Sequence, residues 1–120
     1  MTREKLNRIL EEHKKWLTNN GGTQANLRRA DLQGADLREA NLDYSCWPIW
    51  CGSLGAKVDK RIAAQIAYHF CRLDCDDPDY INARNALIDF ANQFHRVDEC
   101  GLIEEITVEK EESVKNGTAD

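Results

Sequence analysis

Hydrophobic and polar positions alternate with a period of five residues between positions 25 and 44. Four consecutive blocks read Ala, then Asp or Asn, then Leu, then two variable residues, without a slip. A period of five fits neither the 3.6-residue period of a helix nor the two-residue period of a strand. It predicts a solenoid whose chain turns a corner in every repeat. The leucines would fill its interior, and the Asx side chains would lie outside, where they can bond nearby backbone groups. The four leucines are Leu27, Leu32, Leu37 and Leu42.

Helical spacing of apolar residues predicts three helices around this repeat. Thr2 is a candidate N-cap for a helix that ends near Leu17, and His13 lies on its apolar side as a packed histidine. Asp59 is expected to cap a second helix that ends near Leu73. Its predicted apolar stripe is Ile62, Ile66, Phe70 and Leu73.

The third helix has a clear start signal, because Asp77 can cap it and Pro78 suits its first position. It is predicted to run to about Val97 and to form an αα-hairpin with the second helix. Its predicted stripe is Ala83, Leu87, Phe90, Phe94 and Val97.

The five-residue blocks resemble those of the pentapeptide-repeat family, and residues 9–17 with the following Asn-Gly-Gly look like the helical lead-in that often precedes such repeats. The resemblance covers roughly residues 5–47. It implies a right-handed quadrilateral β-helix with four repeats per coil, so this chain would form one coil. Because stacked repeats generally need about three or more layers, the coil is expected to lean on other parts of the chain or on another copy. The expected fold class is therefore mixed α+β, with an N-terminal helical cap, a single-coil β-helix and a C-terminal αα-hairpin.

These elements suggest an order along the chain. Residues 1–22 would form the helical cap, 23–50 the repeat coil and an aromatic plug, 51–103 the helical hairpin region, and 104–120 a polar, disordered tail. The plug is the sequence from Trp47 to Trp50, which joins the coil to the helical hairpin region. Its alternative role is a binding surface, because aromatic clusters anchor interfaces or stack on bases.

Composition narrows the class of protein. Of 120 residues, 42% are hydrophobic and 31% are charged, which is typical of a soluble domain, and no apolar stretch approaches the length of a membrane span. The net charge of −5 argues against direct nucleic-acid binding. Five cysteines without a secretion signal indicate free thiols in a reducing cytoplasm.

Metal binding and catalysis compete with structural roles for the same residues. Cys46, Cys51, Cys71 and Cys75 could bind zinc, but neither pair has the Cys-x-x-Cys spacing, and buried structural thiols explain them as well. The acidic residues between positions 74 and 79 lack calcium-loop spacing. Cys71 with a histidine could act as a nucleophile, but no catalytic motif is present. The chain is expected to be neither an enzyme nor a cofactor protein.

The leading functional hypothesis is a non-enzymatic binding protein, because the short coil joined to helices looks like proteins of phages and prophages. Such a protein would inhibit a host protein, for example a component of a defence system. It would act as a homo-oligomer, most simply a dimer. One alternative is capture of a small nucleotide signal. Its binding residues would be Arg28, Arg29, Arg38, Trp47 and Trp50.

A second alternative, implied by the family, is mimicry of DNA to inhibit a DNA-binding enzyme. The repeat carries four acidic side chains against three basic ones, and one coil rises only about 5 Å, so its acidic signal is weak. A small thiol-dependent enzyme is the third alternative.

Overall fold

The structure is a computed structural model and describes residues 1–107. Within them the chain forms four α-helices and one short 3₁₀ turn. These are α1 (Arg3–Leu17), the 3₁₀ turn (Cys51–Ser53), α2 (Lys60–Cys71), α3 (Pro78–Ala91) and α4 (Val97–Cys100). The chain divides into two compact units, Met1–Ile62 and Ala63–Asp120, which are called the repeat unit and the helical unit. No helix in the described part is long and apolar enough to cross a membrane.

Helix α1 begins and ends where the sequence predicts. The Thr2 hydroxyl oxygen accepts a hydrogen bond from the Lys5 N–H at 3.1 Å, which satisfies one of the free donors of the first turn. Leu6 is buried, and Ile9 and Leu10 pack beside it against the repeat leucines. The chain then leaves the helix through Asn19 and two glycines with positive φ. The apolar face of α1 therefore covers the interior of the repeats.

The repeat segment, defined as residues 25–44, is a series of four tight turns. In each turn the leucine carbonyl accepts a hydrogen bond from the N–H three residues later, at 2.9–3.0 Å. The Asx oxygen just before each leucine accepts from the N–H two residues after itself, at 3.0–3.2 Å. All four leucines are buried. The same two hydrogen bonds therefore form in each five-residue block, and they turn the leucines inward and the Asx side chains outward, as predicted.

The predicted β-helix is wrong. The described residues contain no strand and no sheet; the repeat segment makes only two isolated parallel bridges, Asn26 with Cys46 and Asp36 with Lys57. A ladder needs regular neighbouring layers. In the described part of the chain, the layer that bonds the repeat backbone is residues 46–57, which are interrupted by a proline and a 3₁₀ turn. The mixed α+β class is therefore corrected to a helical protein with an irregular, turn-built repeat segment.

Residues 46–57 still provide hydrogen bonds for the repeat backbone. The carbonyls of Cys46, Gly52 and Lys57 accept from the N–H groups of three repeat leucines, at 2.7–3.1 Å. The aromatic plug is divided between the interior and the surface. Trp47 packs against the core and Pro48 is buried, whereas Ile49 is 94% exposed and Trp50 is 47% exposed.

The structure confirms the start signal of α3 and only part of the predicted apolar stripes. The Asp77 carboxylate accepts from the N–H groups of Asp79 and Tyr80, with Pro78 at the first helical position. However, Ile66, Leu73, Ala83 and Leu87 of the predicted stripes are exposed. The buried face instead consists of Ala64, Tyr68 and Cys71 on α2 with Arg84 and Ala91 on α3. Ile62 and Phe94 of the predicted stripes are buried, and Phe70 and Val97 pack against the core of the helical unit. The predicted faces are therefore correct only in part, because a search for apolar spacing cannot detect a charged residue that packs inward.

The predicted length of α3 is also wrong. It ends at Ala91, and α4 follows after a turn. Residues 101–107 are irregular, and the remainder of the predicted polar tail, residues 108–120, lies outside the described residues.

Candidate functional site

Helix α1 lies between two grooves of the repeat unit. The first groove has a volume of about 410 Å³. It is lined by Lys5, Arg8, Ile9 and Glu12 of α1 and by Thr23, Gln24, Ala25 and Asn26. The second groove, of about 490 Å³, lies along the other flank. Its lining is Arg3, Asn7, Leu10, Glu11, Lys14, Leu17, Thr18, Asp36, Arg38, Glu39, Ala40 and Asn41.

The wall of the first groove opposite α1, formed by residues 23–26, is fixed to α1 by hydrogen bonds. The Thr23 N–H donates to the Glu12 carbonyl at 3.2 Å, and the Ala25 N–H donates to Nδ1 of His13 at 3.0 Å. Because Nδ1 accepts, the proton of neutral His13 lies on Nε2, which donates to the Asp43 carbonyl at 2.8 Å. His13 is fully buried and links α1 to both ends of the repeat segment. The groove wall is therefore held in place before any ligand arrives.

The first groove is positively charged. Lys5 and Arg8 lie along it, and a neighbouring cavity of about 180 Å³ that shares Asn26 is lined by Arg28 and Arg29. Its acidic lining residue, Glu12, lies 3.4 Å from the Lys15 ammonium. Four basic side chains therefore line two neighbouring cavities that share Asn26, in a chain whose net charge is −5.

The charges of the second groove balance, because its lining has three basic and three acidic residues. Arg38 and Asp36 form an ion pair at 2.7 Å. The Arg38 guanidinium and its backbone N–H hold the pKa of the Asp36 carboxyl well below its usual range. Arg38 is thus engaged by a carboxylate of its own repeat.

The predicted ligand-binding residues do not share one cavity. Arg28 and Arg29 are exposed in the first turn of the repeat segment, whereas Arg38 lies in the second groove. Trp47 packs against the core, and neither Trp47 nor Trp50 lines either groove. Two of the five predicted residues, Arg28 and Arg29, therefore adjoin the first groove.

The predicted zinc ligands do not form a metal site in the described residues. No group of three or more His, Cys, Asp or Glu side chains in residues 1–107 could hold a metal ion. Cys46, Cys51 and Cys75 are exposed, and Cys71 is buried. The Cys71 thiol donates a hydrogen bond to the Arg84 carbonyl, with a sulfur–oxygen distance of 3.7 Å.

The same burial bears on thiol chemistry. Desolvation raises the pKa of the Cys71 thiol, and the nearby Arg84 charge offsets only part of this effect. A raised pKa favours the protonated thiol, which is the unreactive form. Cys71 therefore has the environment of a structural residue.

Sequence reasoning missed Lys5 and Arg8 because it assigned α1 only a covering role. They lie three residues apart, beside the apolar residues Ile9 and Leu6 that face the core. This spacing puts two cations at the edge of the apolar stripe. Two basic residues at this spacing, next to the apolar residues of α1, were the feature of the sequence that indicated a charged groove.

Comparison with known proteins gives one positive result. Residues 23–46 match the family model described as Pentapeptide repeats (8 copies). No curated protein and no solved structure matches the chain. The match coincides with the segment in which each leucine begins a turn and each Asx side chain bonds the backbone. Residues 23–46 are therefore pentapeptide repeats, and they lie in the first of the two units of the chain.

Proposed function

We propose that this chain is a non-enzymatic interaction protein that binds an acidic segment of a partner protein in the first groove. Pentapeptide repeats indicate a protein of the interaction type. The observation that carries the finer proposal is the cationic border of a preformed groove in an acidic chain. Inhibition of a host protein is one biological role that such binding would serve.

The size and the floor of the groove suit a protein segment. Its volume of about 410 Å³ falls within the roughly 300–1,000 Å³ of ordinary binding clefts. Ile9 and Ala25 supply apolar contact, and the hydrogen bonds from Thr23 and Ala25 hold the wall in place. A backbone wall that needs no ordering on binding reduces the entropy cost of association.

The charge of the groove selects the partner. Lys5, Arg8, Arg28 and Arg29 attract carboxylates, and arginine binds them with two parallel hydrogen bonds. These contacts are exposed, so they should contribute more to association rate and specificity than to final affinity. Binding should therefore weaken as ionic strength rises.

The alternative ligands fit this surface less well. A nucleotide held by three arginines and two tryptophans would need residues that do not share one cavity here: the arginines line two different cavities, and Trp47 packs against the core. A mimic of DNA needs an acidic surface, whereas the first groove is cationic. A thiol-dependent enzyme would need a reactive Cys71, whose burial raises its pKa.

The test is an NMR titration of the ¹⁵N-labelled chain with a short peptide that alternates Glu and Leu, and with its Lys–Leu counterpart. We expect the acidic peptide alone to shift the amides of the first groove, and more strongly at low salt than at about 0.15 M. Arg8→Glu should weaken binding about tenfold, which corresponds to about 1.4 kcal/mol.

The control is Lys14→Glu, which makes the same charge change on the opposite flank of α1, in the second groove. It should leave binding unchanged. Equal weakening by both variants would indicate attraction to the whole molecule, and absence of binding at millimolar peptide would refute the proposal.

A further inference from the structure

Two asparagines of the helical unit, on α3 and at its C-cap, bind the backbone of the segment after α4. Asn92 donates through Nδ2 to the Ile103 carbonyl at 3.1 Å and accepts from the Ile103 N–H through Oδ1 at 2.8 Å. Asn85 does the same with Ile106, at 2.7 Å and 3.1 Å. Each side-chain amide thus takes the place that a peptide group of a neighbouring strand would occupy. A contact of this kind recognises the peptide backbone, so it does not depend on which side chains the bound segment carries.

The spacing of the two asparagines matches an extended peptide. Seven residues of helix separate Asn85 from Asn92, which is a rise of about 10.5 Å. Three residues separate Ile103 from Ile106, and a chain of three residues reaches at most about 10 Å, so a segment bonded to both asparagines must be close to extended. Two turns of helix therefore present two amides at a distance that matches two residues three positions apart in this segment.

Arg84 prepares this face of α3. Its Nη1 donates to Oδ1 of Asn85 at 2.9 Å, which fixes the orientation of that amide, and also to the Glu104 carbonyl at 2.9 Å. Its Nε donates to the Cys71 carbonyl at 3.0 Å. Because Cys71 and Asn85 belong to α2 and α3, this buried guanidinium keeps two partners even if residues 103–106 move away.

One side chain anchors the segment. Ile103 is 5% exposed and packs with Tyr68, Ala91 and Phe94, whereas Leu102 is 70% exposed and Ile106 is 43% exposed. The occupant is thus defined by an extended backbone and a single aliphatic anchor. Both are properties that many peptide segments can supply.

We propose that the face of α3 formed by Arg84, Asn85 and Asn92 is a binding site for extended peptides, and that residues 103–106 are its resident occupant. A partner segment with a branched aliphatic residue at the anchor position replaces the resident segment and forms the same four asparagine bonds. This site belongs to the helical unit and does not depend on the first groove.

The first experiment vacates the site in the full chain by Ile103→Asp, with circular dichroism as the check of folding. A fluorescent synthetic peptide with the sequence of residues 101–107 is then titrated and followed by anisotropy. We expect saturable binding to this variant and at least tenfold weaker binding to the unmodified chain, in which the resident segment competes from within the same molecule.

Two controls separate backbone reading from hydrophobic adhesion. Methylation of the peptide nitrogen that corresponds to the Ile103 N–H removes one donor while keeping the anchor, and it should weaken binding about tenfold. Asn92→Leu, made in the Ile103→Asp background, should do the same. Binding that both changes leave intact, or no binding at millimolar peptide, would overturn the proposal.

A second measurement decides the question if Ile103→Asp does not fold. In the unmodified chain, hydrogen exchange of the Ile103 and Ile106 amides should be at least tenfold faster than that of the α2 and α3 interior amides. Such a difference would indicate that the segment leaves while the helices remain folded. Exchange of all these amides at one common rate would mean that the site cannot be vacated, and the proposal would be wrong.

Discussion

The two units of this protein stabilise irregular backbone in different ways. In the repeat unit each turn is closed by its own leucine carbonyl and its own Asx side chain, so the same bonds recur every five residues. In the helical unit residues 103–106 depend on the polar side chains of Arg84, Asn85 and Asn92, which lie at least ten residues earlier in the chain. Local, repeated bonds can be recognised in a sequence, whereas a distant arginine or asparagine gives no such pattern.

The largest effect should come from the interior of the repeat unit. Leu32→Ala removes a fully buried side chain from the leucine cluster and should lower the free energy of unfolding by about 2–5 kcal/mol. Urea titration followed by tryptophan fluorescence suits this test, because Trp16, Trp47 and Trp50 all lie in the repeat unit. Leu54→Ala, at an exposed position of the same unit, should change stability by less than about 0.5 kcal/mol. Equal losses would mean that the leucines are not the core.

The next effect tests the contact between α1 and the start of the repeats. Gly22 has a φ of +81°, and a Cβ there would overlap the Glu12 carbonyl and lie 2.7 Å from Cβ of Lys15. Gly22→Ala should cost about 3 kcal/mol, from left-handed strain and overlap together. Gly21 has a φ of +80° but no atom within 4 Å, so Gly21→Ala should cost only the strain, about 1 kcal/mol. If thermal or urea unfolding gave the same loss for both, close approach to α1 would not matter.

The helical unit should be sensitive to a polar residue instead. Arg84→Met preserves an unbranched apolar chain but leaves the Cys71 and Glu104 carbonyls without their guanidinium donor. We expect a loss of about 2 kcal/mol in urea unfolding followed by circular dichroism. Arg61→Met makes the same change at an exposed arginine on the first turn of α2, which belongs to the repeat unit, and should have little effect. A neutral result at Arg84 would show that apolar packing alone holds this unit together.

The smallest effect concerns Asp59, which joins a repeat turn to a helix. Its carboxylate accepts from the N–H groups of Glu39 at 2.8 Å and Ile62 at 3.1 Å, and these bonds lower its pKa. Asp59→Asn can replace only one of the two acceptor oxygens and should cost about 1 kcal/mol at neutral pH. Asp77→Asn, at the cap of α3, is the control, because asparagine caps a helix about as well as aspartate.

The pH dependence of Asp59 and its asparagine variant has a definite sign. Because the folded-state pKa of Asp59 lies below its unfolded value near 3.8, the charged group stabilises the fold above that pH. This contribution is lost as the pH falls from that value through the folded-state pKa. The unmodified chain should therefore lose stability more steeply than Asp59→Asn in this range, with Asp36 titrating in both. Parallel curves of unfolding free energy against pH would contradict a role for the Asp59 charge.

Local signals predicted local structure well. The Thr2 cap, the end of α1 at Leu17 and the start of α3 at Asp77 and Pro78 all rest on bonds between residues close in sequence. The inward leucines of the repeat segment also follow from their spacing. The family resemblance was confirmed, but the β-helix it implied was wrong, because strand pairing depends on a regular second layer that residues 1–107 do not supply.

The candidate site was only partly predictable. Arg28 and Arg29 were identified as binding residues from the repeat itself, and they adjoin the first groove. Lys5 and Arg8 were missed because their proximity to the repeat depends on how α1 packs. Arg38 was grouped with the other arginines by sequence, although its ion pair with Asp36 and its place in the second groove separate it from them.

The turns of the repeat segment and the helix caps are specified by sequence alone, because their bonds join residues within about five positions of one another. The five-residue period also predicts which leucines point inward. Tertiary packing, in contrast, determines which faces of α2 and α3 are buried, which cysteine is protected and where the grooves lie. A buried arginine can be recognised only when the distant carbonyls that it bonds are known. A groove likewise exists only between two elements, and the sequence of neither element specifies the distance between them.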